Sequence, residues 1–314
     1  MNSFQELDLD PRILRGVDAA GFTKPFPIQE QTIGPLLVGS DVIGQAKTGT
    51  GKTAAYGLPL LQAINTRHRE IQAIVLSPTR ELALQITNDL KRLGMYTGVK
   101  IVTIYGGQSI NRQFEALRHG VHAVVGTPGR VIDHIKRGTL DLGMVKFVVV
   151  DEADTMLDMG FIDDVEFILD SIPDGRQLSL FSATMPQEII ELSEKYMHNP
   201  ERILIDSDEP SVDTLEQHYI VVEQDDKLFF LLDLLSREKP LSSMIFCRTK
   251  YGAYKLAKEL ERRFLNVVPL HGDLSQSQRE HSMHLFRSGR ADILVATDVA
   301  GRGIDIPQVE CVIN

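Results

Sequence analysis

The sequence has few cysteines and no long apolar run, and each absence excludes a class of protein. Only Cys247 and Cys311 occur among 314 residues. Two cysteines do not build a disulfide framework or a zinc site, so we expect a reducing cytoplasm. No segment reaches the roughly eighteen consecutive apolar residues of a membrane-spanning helix. The first eight residues carry acids instead of a basic and then apolar pattern, so we expect no secretion signal.

An excess of positive charge is also missing. The formal net charge is −10, from 33 basic and 43 acidic residues. Proteins that hold nucleic acid by bulk charge gather Lys and Arg and gain from counterion release. Any contact with nucleic acid must therefore be local, through backbone N–H groups, helix N-termini and a few placed arginines, and we expect a shallow salt dependence.

The pattern of apolar residues predicts two α/β domains, which suits a chain of 314 residues. Short β-type runs alternate with helical patterns, which is typical of doubly wound parallel sheets. The predicted strands are Asp41–Ile43, Ala73–Ser77, Lys100–Tyr105, Ala123–Gly126, Phe147–Val150, Leu178–Phe181, Ile203–Ile205, His218–Val222, Met244–Cys247, Val267–Leu270, Asp292–Ala296 and Glu310–Ile313. The predicted helices are Glu81–Leu93, Asp163–Asp170, Lys227–Ser236, Tyr251–Arg263 and Gln276–Phe286. A polar, acidic, proline-containing stretch at 206–216 predicts a linker between the two series.

A glycine-rich segment lies between the first predicted strand and a helical stretch near Ala54. Its glycines let successive backbone N–H groups close around phosphate oxygens, Lys52 can reach the β- and γ-phosphates, and the Thr53 hydroxyl can bind Mg²⁺. A glycine-rich turn at a helix start is the alternative. Ala46 departs from the strict pattern, which has glycine there. The candidate nucleotide-binding residues are Ala46, Lys47, Thr48, Gly49, Thr50, Gly51, Lys52 and Thr53.

Two adjacent carboxylates, Asp151 and Glu152, follow the apolar run Phe147–Val150. Such a run indicates a strand covered on both faces, and ligands of parallel sheets bind at the carboxyl ends of the strands. Alone, this pair is more often a solvated turn. Together with the glycine-rich segment, it predicts a triphosphate site in which Asp151 holds Mg²⁺ and Glu152 polarises the attacking water. Lys52, Asp151 and Glu152 are the predicted catalytic residues, and Thr53 and Asp151 the metal ligands.

Further motifs follow the predicted strands in a fixed order. They are Gly21–Gln29, Pro78–Ala83, Gly106-Gly107, Thr127–Arg130, Asp151–Asp154, Ser182–Thr184, Ile245–Thr249, His271–Asp273 with Gln276 and Arg279, and Ala296–Asp305. In order and spacing the chain resembles a DEAD-box ATP-dependent RNA helicase of superfamily 2. The resemblance implies two RecA-like domains: an adenine-recognition segment at 1–30, a nucleotide-binding domain at 31–205, a linker at 206–216 and a partial second domain at 217–314.

The resemblance also implies roles for residues around the nucleotide. Gln29, with a donor and an acceptor, suits the adenine edge, and Phe22 offers a ring for stacking, with Lys24 in the same segment. The alternatives are a helix-surface amide and a core aromatic. The resemblance further implies that Gly303 and Asp305 contact the nucleotide and its ribose. It also implies that Asp154, Ser182 and Thr184 couple the ATP site to strand separation. Hydroxyls at strand ends are otherwise usually local caps.

The implied RNA contacts lie on loops at strand ends, where small residues expose backbone N–H groups and arginines can pair with phosphate. They are Thr79, Arg80, Gly107, Thr127, Gly129, Arg130, Thr249, Arg279 and Thr297. Ordinary turns, helix caps and solvated arginines are the alternatives. Contacts of this kind touch the RNA backbone, so we expect little sequence preference and discrimination of RNA from DNA through the 2′-hydroxyl.

The resemblance has one departure, because the family's motif of the type His-Arg-Ile-Gly-Arg-Thr-Gly-Arg does not occur before Asn314. We expect either a fragment or a natural truncation, and an arginine finger is worth about 10³–10⁵ in rate. Three hypotheses follow. The favoured one is an RNA-dependent ATPase that binds single-stranded RNA and unwinds short duplexes. The others are an ATP- and RNA-binding module with little hydrolysis and, more weakly, a DNA translocase.

Overall fold

The computed structural model describes residues 3–47, 49–205, 216–263, 266–297, 306 and 309–314, except for the side chain of Gln276. The chain divides into two compact units, Met1–Asp208 and Glu209–Asn314. The predicted site residues Thr48, Gly303 and Asp305, and all of the predicted linker but its last residue, lie outside the described residues. None of the described helices has the length and apolar character needed to span a bilayer.

Seven strands of the first unit form one parallel sheet in the order β3-β4-β2-β5-β6-β1-β7. The strands are β1 (Val42–Gln45), β2 (Ala73–Leu76), β3 (Ile101–Ile104), β4 (Ala123–Gly126), β5 (Phe147–Asp151), β6 (Gln177–Ser182) and β7 (Glu201–Leu204). The helices are α1 (Pro11–Ala19), α2 (Pro27–Leu37), α3 (Lys52–Ala63), α4 (Arg80–Leu93), α5 (Ile110–Arg118), α6 (Pro128–Lys136), α7 (Ala153–Asp158), α8 (Ile162–Asp170) and α9 (Gln187–Tyr196).

Both faces of this sheet are covered, which explains the continuous apolar runs of its central strands. Along β5, Phe147 and Val149 point into one core, which includes residues of α1 to α4. Val148 and Val150 point into a second core, which includes residues of α6 to α9. Successive side chains of a strand alternate between faces, so one strand contributes to both cores.

The second unit contains a smaller parallel sheet in the order β11-β8-β10-β9. Its strands are β8 (Ser243–Cys247), β9 (Val267–Leu270), β10 (Ile293–Thr297) and β11 (Cys311–Ile313). Its helices are α10 (Lys227–Glu238), α11 (Lys250–Glu261) and α12 (Gln276–Arg287). The structure thus confirms the predicted class, two tandem α/β units with parallel sheets.

The other predicted strands and helices are present with ends shifted by up to about two residues, but the strand predicted at His218–Val222 is wrong. That segment forms neither helix nor strand. Tyr219 and Val221 are 90% and 88% exposed. The local pattern indicated a strand, but a strand also needs a hydrogen-bonded neighbour, and none of the described strands pairs with this segment.

Candidate functional site

The glycine-rich segment connects β1 to α3 at the carboxyl edge of the first sheet. Ala46 is buried, and its N–H donates to Ser182 O at 3.0 Å, so it extends the pairing of β1 with β6. A side chain therefore fits where the strict pattern has glycine. Lys52 is also buried, and its ammonium donates to Ala46 O at 3.1 Å, which folds the side chain back over the loop. Thr50 Oγ1 closes the turn through a hydrogen bond to Lys47 O at 2.8 Å.

Gly51 and Gln29 tie the glycine-rich segment to the start of α2. Gly51 has φ of +85°, a conformation that favours glycine, and a Cβ on it would lie 2.3 Å from Gln29 Nε2. The buried Gln29 amide donates to Gly51 O at 3.0 Å and accepts from the Phe26 N–H at 2.9 Å. The residue predicted to contact adenine is therefore already bonded to the loop that is predicted to hold the phosphates.

Asp151 ends β5 and is 3% exposed. Its Oδ2 accepts a hydrogen bond from the Tyr56 hydroxyl at 2.8 Å, and its Oδ1 accepts from the Glu152 N–H at 2.9 Å. Burial raises the pKa of Asp151 above its usual range, although the positive charge of Lys52 acts in the opposite direction. Oxygen donors from Asp151 and Thr53 are the ligand type that Mg²⁺ prefers.

Glu152 lies between β5 and α7 in the left-handed conformation, with φ of 53° and ψ of 53°. A non-glycine residue there is uncommon, and such strain concentrates at functional sites. The residue is 8% exposed. Burial, followed by the neighbouring charge of Asp151, raises its pKa to about 7. A carboxyl group with a pKa near neutrality is suited to act as a general base.

Asp154 lies in the first turn of α7 and connects it to the end of β6. Its Oδ2 accepts from the backbone N–H of Thr184 at 2.9 Å, from the Thr184 hydroxyl at 3.0 Å and from the Ala183 N–H at 3.2 Å. Its own N–H donates to Ser182 Oγ at 3.2 Å. Burial would raise the pKa of Asp154, but the hydrogen bonds from Thr184 and Ser182 outweigh it and lower the pKa. The structure thus brings the three predicted coupling residues together.

The RNA-contact candidates of the first unit follow three adjacent strands, β3, β4 and β2. Thr79 caps α4 by accepting from the Leu82 N–H at 3.2 Å. The Arg80 guanidinium lies against Gly107, because a Cβ on this glycine would be 2.4 Å from Arg80 Nη1. Thr127, Gly129 and Arg130 form the start of α6, where Gly129 is exposed and Thr127 and Arg130 are partly buried. These six candidates therefore share one edge of the sheet.

The described candidates of the second unit are spread over two neighbouring strands and a helix. Thr249 follows β8, is exposed, and caps α11 by accepting from the Gly252 N–H at 3.0 Å. Thr297 ends the adjacent β10 and is buried. Arg279 lies on α12 with 9% exposure. The structure places all three in the second unit, on separate elements.

Sequence reasoning missed two aromatic residues at the nucleotide site. Tyr56 is fully buried, and its hydroxyl contacts Asp151. Phe26 is 50% exposed, and its ring lies 3.0 Å from the position a Cβ on Gly51 would take. Phe22 is partly buried against the core, edge-on to Phe4 with ring centroids 6.1 Å apart, and its stacking role stays a prediction. The exposed Lys24 precedes α2. Helical spacing could have indicated Tyr56, which lies one turn after Lys52.

Known proteins match the chain over almost its whole length. The profile of the DEAD/DEAH box helicase family matches residues 26–192, and that of the helicase conserved C-terminal domain matches residues 226–314. The chain is 46% identical over 314 residues to the DEAD-box ATP-dependent RNA helicase CshA of Geobacillus kaustophilus, covering 67% of that protein. It is also 46% identical over 314 residues to the CshA of Bacillus anthracis, covering 60% of it.

Solved structures of similar fold are also DEAD-box proteins. The chain is similar to Saccharomyces cerevisiae Dbp5 bound to RNA and ADP BeF3, with a TM-score of 0.89, 35% identity, and coverage of 100% of this chain and 80% of that one. A DEAD box protein from Methanococcus jannaschii shows 42% identity and a TM-score of 0.64, with coverage of 99% of this chain and 84% of that one. The fold, the ordered motifs and these similarities show that the chain belongs to the DEAD-box helicase family.

Proposed function

We propose that this chain is the core of an ATP-dependent RNA helicase, in which ATP hydrolysis depends on RNA and short duplexes are unwound locally. One observation carries the proposal. The buried Lys52, the buried Asp151 and Glu152, whose pKa is about 7, interact electrostatically at the carboxyl edge of the first sheet. A structural ion cluster does not need a base with a pKa near neutrality, whereas hydrolysis of a triphosphate uses one to accept a proton from the attacking water.

Each residue has a defined task in this reaction. Backbone N–H groups of the glycine-rich segment and the Lys52 ammonium bind the phosphates, and Lys52 exchanges its bond to Ala46 O for a phosphate oxygen. Glu152 accepts the proton of the attacking water. Asp151 and Thr53 would hold Mg²⁺, which supplies charge neutralisation at the phosphates when bound. Tyr56 keeps the Asp151 carboxylate in one orientation through its hydroxyl.

The RNA side rests on the edge formed by β3, β4 and β2. Arg80 and Arg130 supply positive charge there, and Gly107 and Gly129 allow close approach of a sugar–phosphate backbone. No large basic surface is needed, which agrees with a net charge of −10. We therefore propose RNA as the partner, with little sequence preference, and with further contacts from Thr249, Arg279 and Thr297.

The curated relatives are longer proteins. The chain spans between 60% and 67% of the CshA proteins of Bacillus anthracis and Geobacillus kaustophilus. Unwinding activity, substrate and partners are therefore proposed for this chain on the basis of its family and its site. The cytoplasmic location and the division at 1–30, 31–205, 206–216 and 217–314 stay predictions.

The test measures ATP hydrolysis and nucleotide binding in the same preparation, with and without single-stranded RNA. We expect RNA to accelerate hydrolysis by the wild-type chain. Glu152→Gln should bind ATP with unchanged affinity and hydrolyse it at least about 100-fold more slowly, because a positioned base contributes about 10²–10⁴ in rate. Undiminished hydrolysis by Glu152→Gln would remove the base role from Glu152. ATP and RNA binding without turnover in the wild type would instead support the binding-module hypothesis.

A further inference from the structure

A buried glutamine, Gln113 of α5, lies at the centre of a polar network beside the proposed RNA edge. It is 2% exposed. Its Nε2 donates to Tyr105 O at 2.9 Å and to Gln108 Oε1 at 3.1 Å. Its Oε1 accepts from Arg130 Nη1 and from His134 Nε2, both at 3.1 Å. These four hydrogen bonds use the full capacity of the amide N–H groups and both lone pairs of its oxygen.

The network joins two separate segments. Tyr105 and Gln108 belong to the loop after β3, which contains Gly107, whereas Arg130 and His134 belong to α6, which follows β4. Arg130 Nη1 also donates directly to Gln108 O at 3.1 Å. A reversed Gln113 amide would place donor against donor and acceptor against acceptor, so only one orientation satisfies the site. The loop and the helix start are therefore held in one fixed geometry.

Arg130 is held through Nη1 and Nε of its guanidinium. Its side chain is 14% exposed, its Nη1 makes both hydrogen bonds of the network, and its Nε lies 3.8 Å from Asp133 Oδ2. Within the described part of the chain, no hydrogen bond to Nη2 is found. A guanidinium that is fixed through Nη1 and Nε and keeps Nη2 available is preorganised for an anion, because the entropy of ordering a long side chain has already been lost.

His134 completes the network without adding charge. It is fully buried, and its Nδ1 lies 2.8 Å from Thr139 Oγ1. Burial, followed by the nearby charge of Arg130, lowers the pKa of His134, so the ring is neutral near pH 7. A charged imidazole would repel the guanidinium of Arg130. A neutral one donates to Gln113 and keeps Arg130 as the cation of this network.

We propose that Gln113 is a positioning residue for RNA binding: it orients Arg130 so that Nη2 meets an RNA phosphate, and it fixes the Tyr105–Gln108 loop beside it. The inference rests on the proposed function, since it assigns to Gln113 a role at the proposed RNA edge. Gln113 itself touches no RNA, because its polar atoms are all engaged inside the protein.

The experiment replaces Gln113 with Met, which keeps the volume and removes the four hydrogen bonds. Binding of a fluorescein-labelled single-stranded RNA is measured by anisotropy at several salt concentrations, with a non-hydrolysable ATP analogue present. Nucleotide affinity is measured in the same samples. Gln177→Met is the matched control, because the Gln177 Nε2 also donates two hydrogen bonds, to Leu36 O and Ser40 O, and lies at the amino end of β6, away from the proposed RNA edge.

We expect Gln113→Met to weaken RNA binding about tenfold, the effect of losing one charge-assisted hydrogen bond. The slope of log K against log salt is negative, and its magnitude should decrease by about 0.7, the value of one phosphate contact on a single strand. Nucleotide affinity should stay unchanged. Arg130→Gln should give the same slope as Gln113→Met. The double variant should bind RNA no more weakly than Arg130→Gln alone, since both residues act through one contact. Gln177→Met should leave RNA affinity and slope as in the wild type.

Different results separate this inference from the proposed function. If the wild type binds RNA and Gln113→Met leaves the slope unchanged, or reduces affinity no more than Gln177→Met, the positioning role is wrong. If the wild type does not bind RNA, the proposed function itself fails. Should Gln113→Met not fold, Gln113→Glu serves instead: its carboxylate pairs with Arg130 and cancels that charge, so the slope should again fall, and an unchanged slope would overturn the proposal.

Discussion

Glu152→Gln should stabilise the folded chain at alkaline pH, although it removes the proposed base. The pKa of Glu152 is about 7 instead of 4.5. Each unit of pKa corresponds to about 1.36 kcal/mol, so keeping Glu152 ionised at pH 8 costs the folded state roughly 3 kcal/mol. Glutamine has nearly the same shape as protonated glutamate and carries no charge at any pH. The variant should therefore recover most of this free energy.

The sign of the pH dependence follows from the raised pKa. A carboxyl group with a raised folded-state pKa favours folding while it is protonated, and this contribution disappears as the pH rises from about 4.5 through about 7. The variant and the wild type should have nearly equal stability at pH 4.5, and the difference should grow to about 3 kcal/mol at pH 8. Enzymes commonly trade stability for activity in this way.

The assay is urea unfolding followed by circular dichroism between pH 4.5 and pH 8, without nucleotide or Mg²⁺. Glu194→Gln, on the exposed side of α9, is the control for the replacement of a glutamate by glutamine outside the site. Equal stability of Glu152→Gln and wild type at pH 8 would refute the reasoning, as would a loss of stability that grows with pH. Either result would mean that burial does not raise the pKa of Glu152.

Two further substitutions test the contacts around this residue. Tyr56→Phe removes the hydroxyl that donates to Asp151 Oδ2 and should lower the free energy of unfolding by about 1.5–3 kcal/mol and weaken the Mg²⁺ dependence of nucleotide binding. The control Tyr196→Phe removes an exposed hydrogen bond of the same type, to Asp170, and should lower the free energy of unfolding by less than about 1 kcal/mol. If urea unfolding gives equal losses for the two variants, burial does not strengthen the Tyr56 bond. Asp154→Asn should destabilise by about 1–2 kcal/mol at pH 7, because both Asp154 oxygens accept hydrogen bonds, Oδ1 from the Thr155 N–H and Oδ2 from Thr184, whereas an amide has only one acceptor oxygen. The Asp154 pKa is lowered, so this difference should shrink as the pH falls through that lowered pKa, and a pH-independent difference would count against it.

Much of the fold could be predicted from the sequence because the strands carry a strong local signal. The run Phe147–Val150 is apolar at every position, short and rich in valine, which is typical of a strand buried on both faces. The segment His218–Val222 shows the limit of such reasoning. Its run of aromatic and β-branched residues indicates a strand, but strand formation depends on a neighbour that local sequence does not specify.

The candidate site could be predicted as a set of residue types, but not as a set of contacts. Glycines and Lys52 before a helix, and paired carboxylates after a strand, indicate phosphate chemistry by their order. Their order does not show that Gln29 bonds to Gly51 O, or that the exposed aromatic beside this glycine is Phe26 while Phe22 packs against the core. The bond between Gln29 and Gly51 joins residues more than twenty positions apart. Whether the ring of Phe22 or of Phe26 lies beside the glycine depends on how the chain enters α2.

The sequence by itself determined that the chain has two α/β units with parallel sheets and a triphosphate motif, since apolar periodicity and glycine spacing are local properties of the chain. Tertiary structure decided the chemistry of the individual groups. Burial makes Glu152 a base near neutrality, and hydrogen bonds hold the pKa of Asp154 low two residues later. Desolvation and hydrogen bonding come from segments brought together only by folding, so two acidic residues in one tetrapeptide acquire opposite properties.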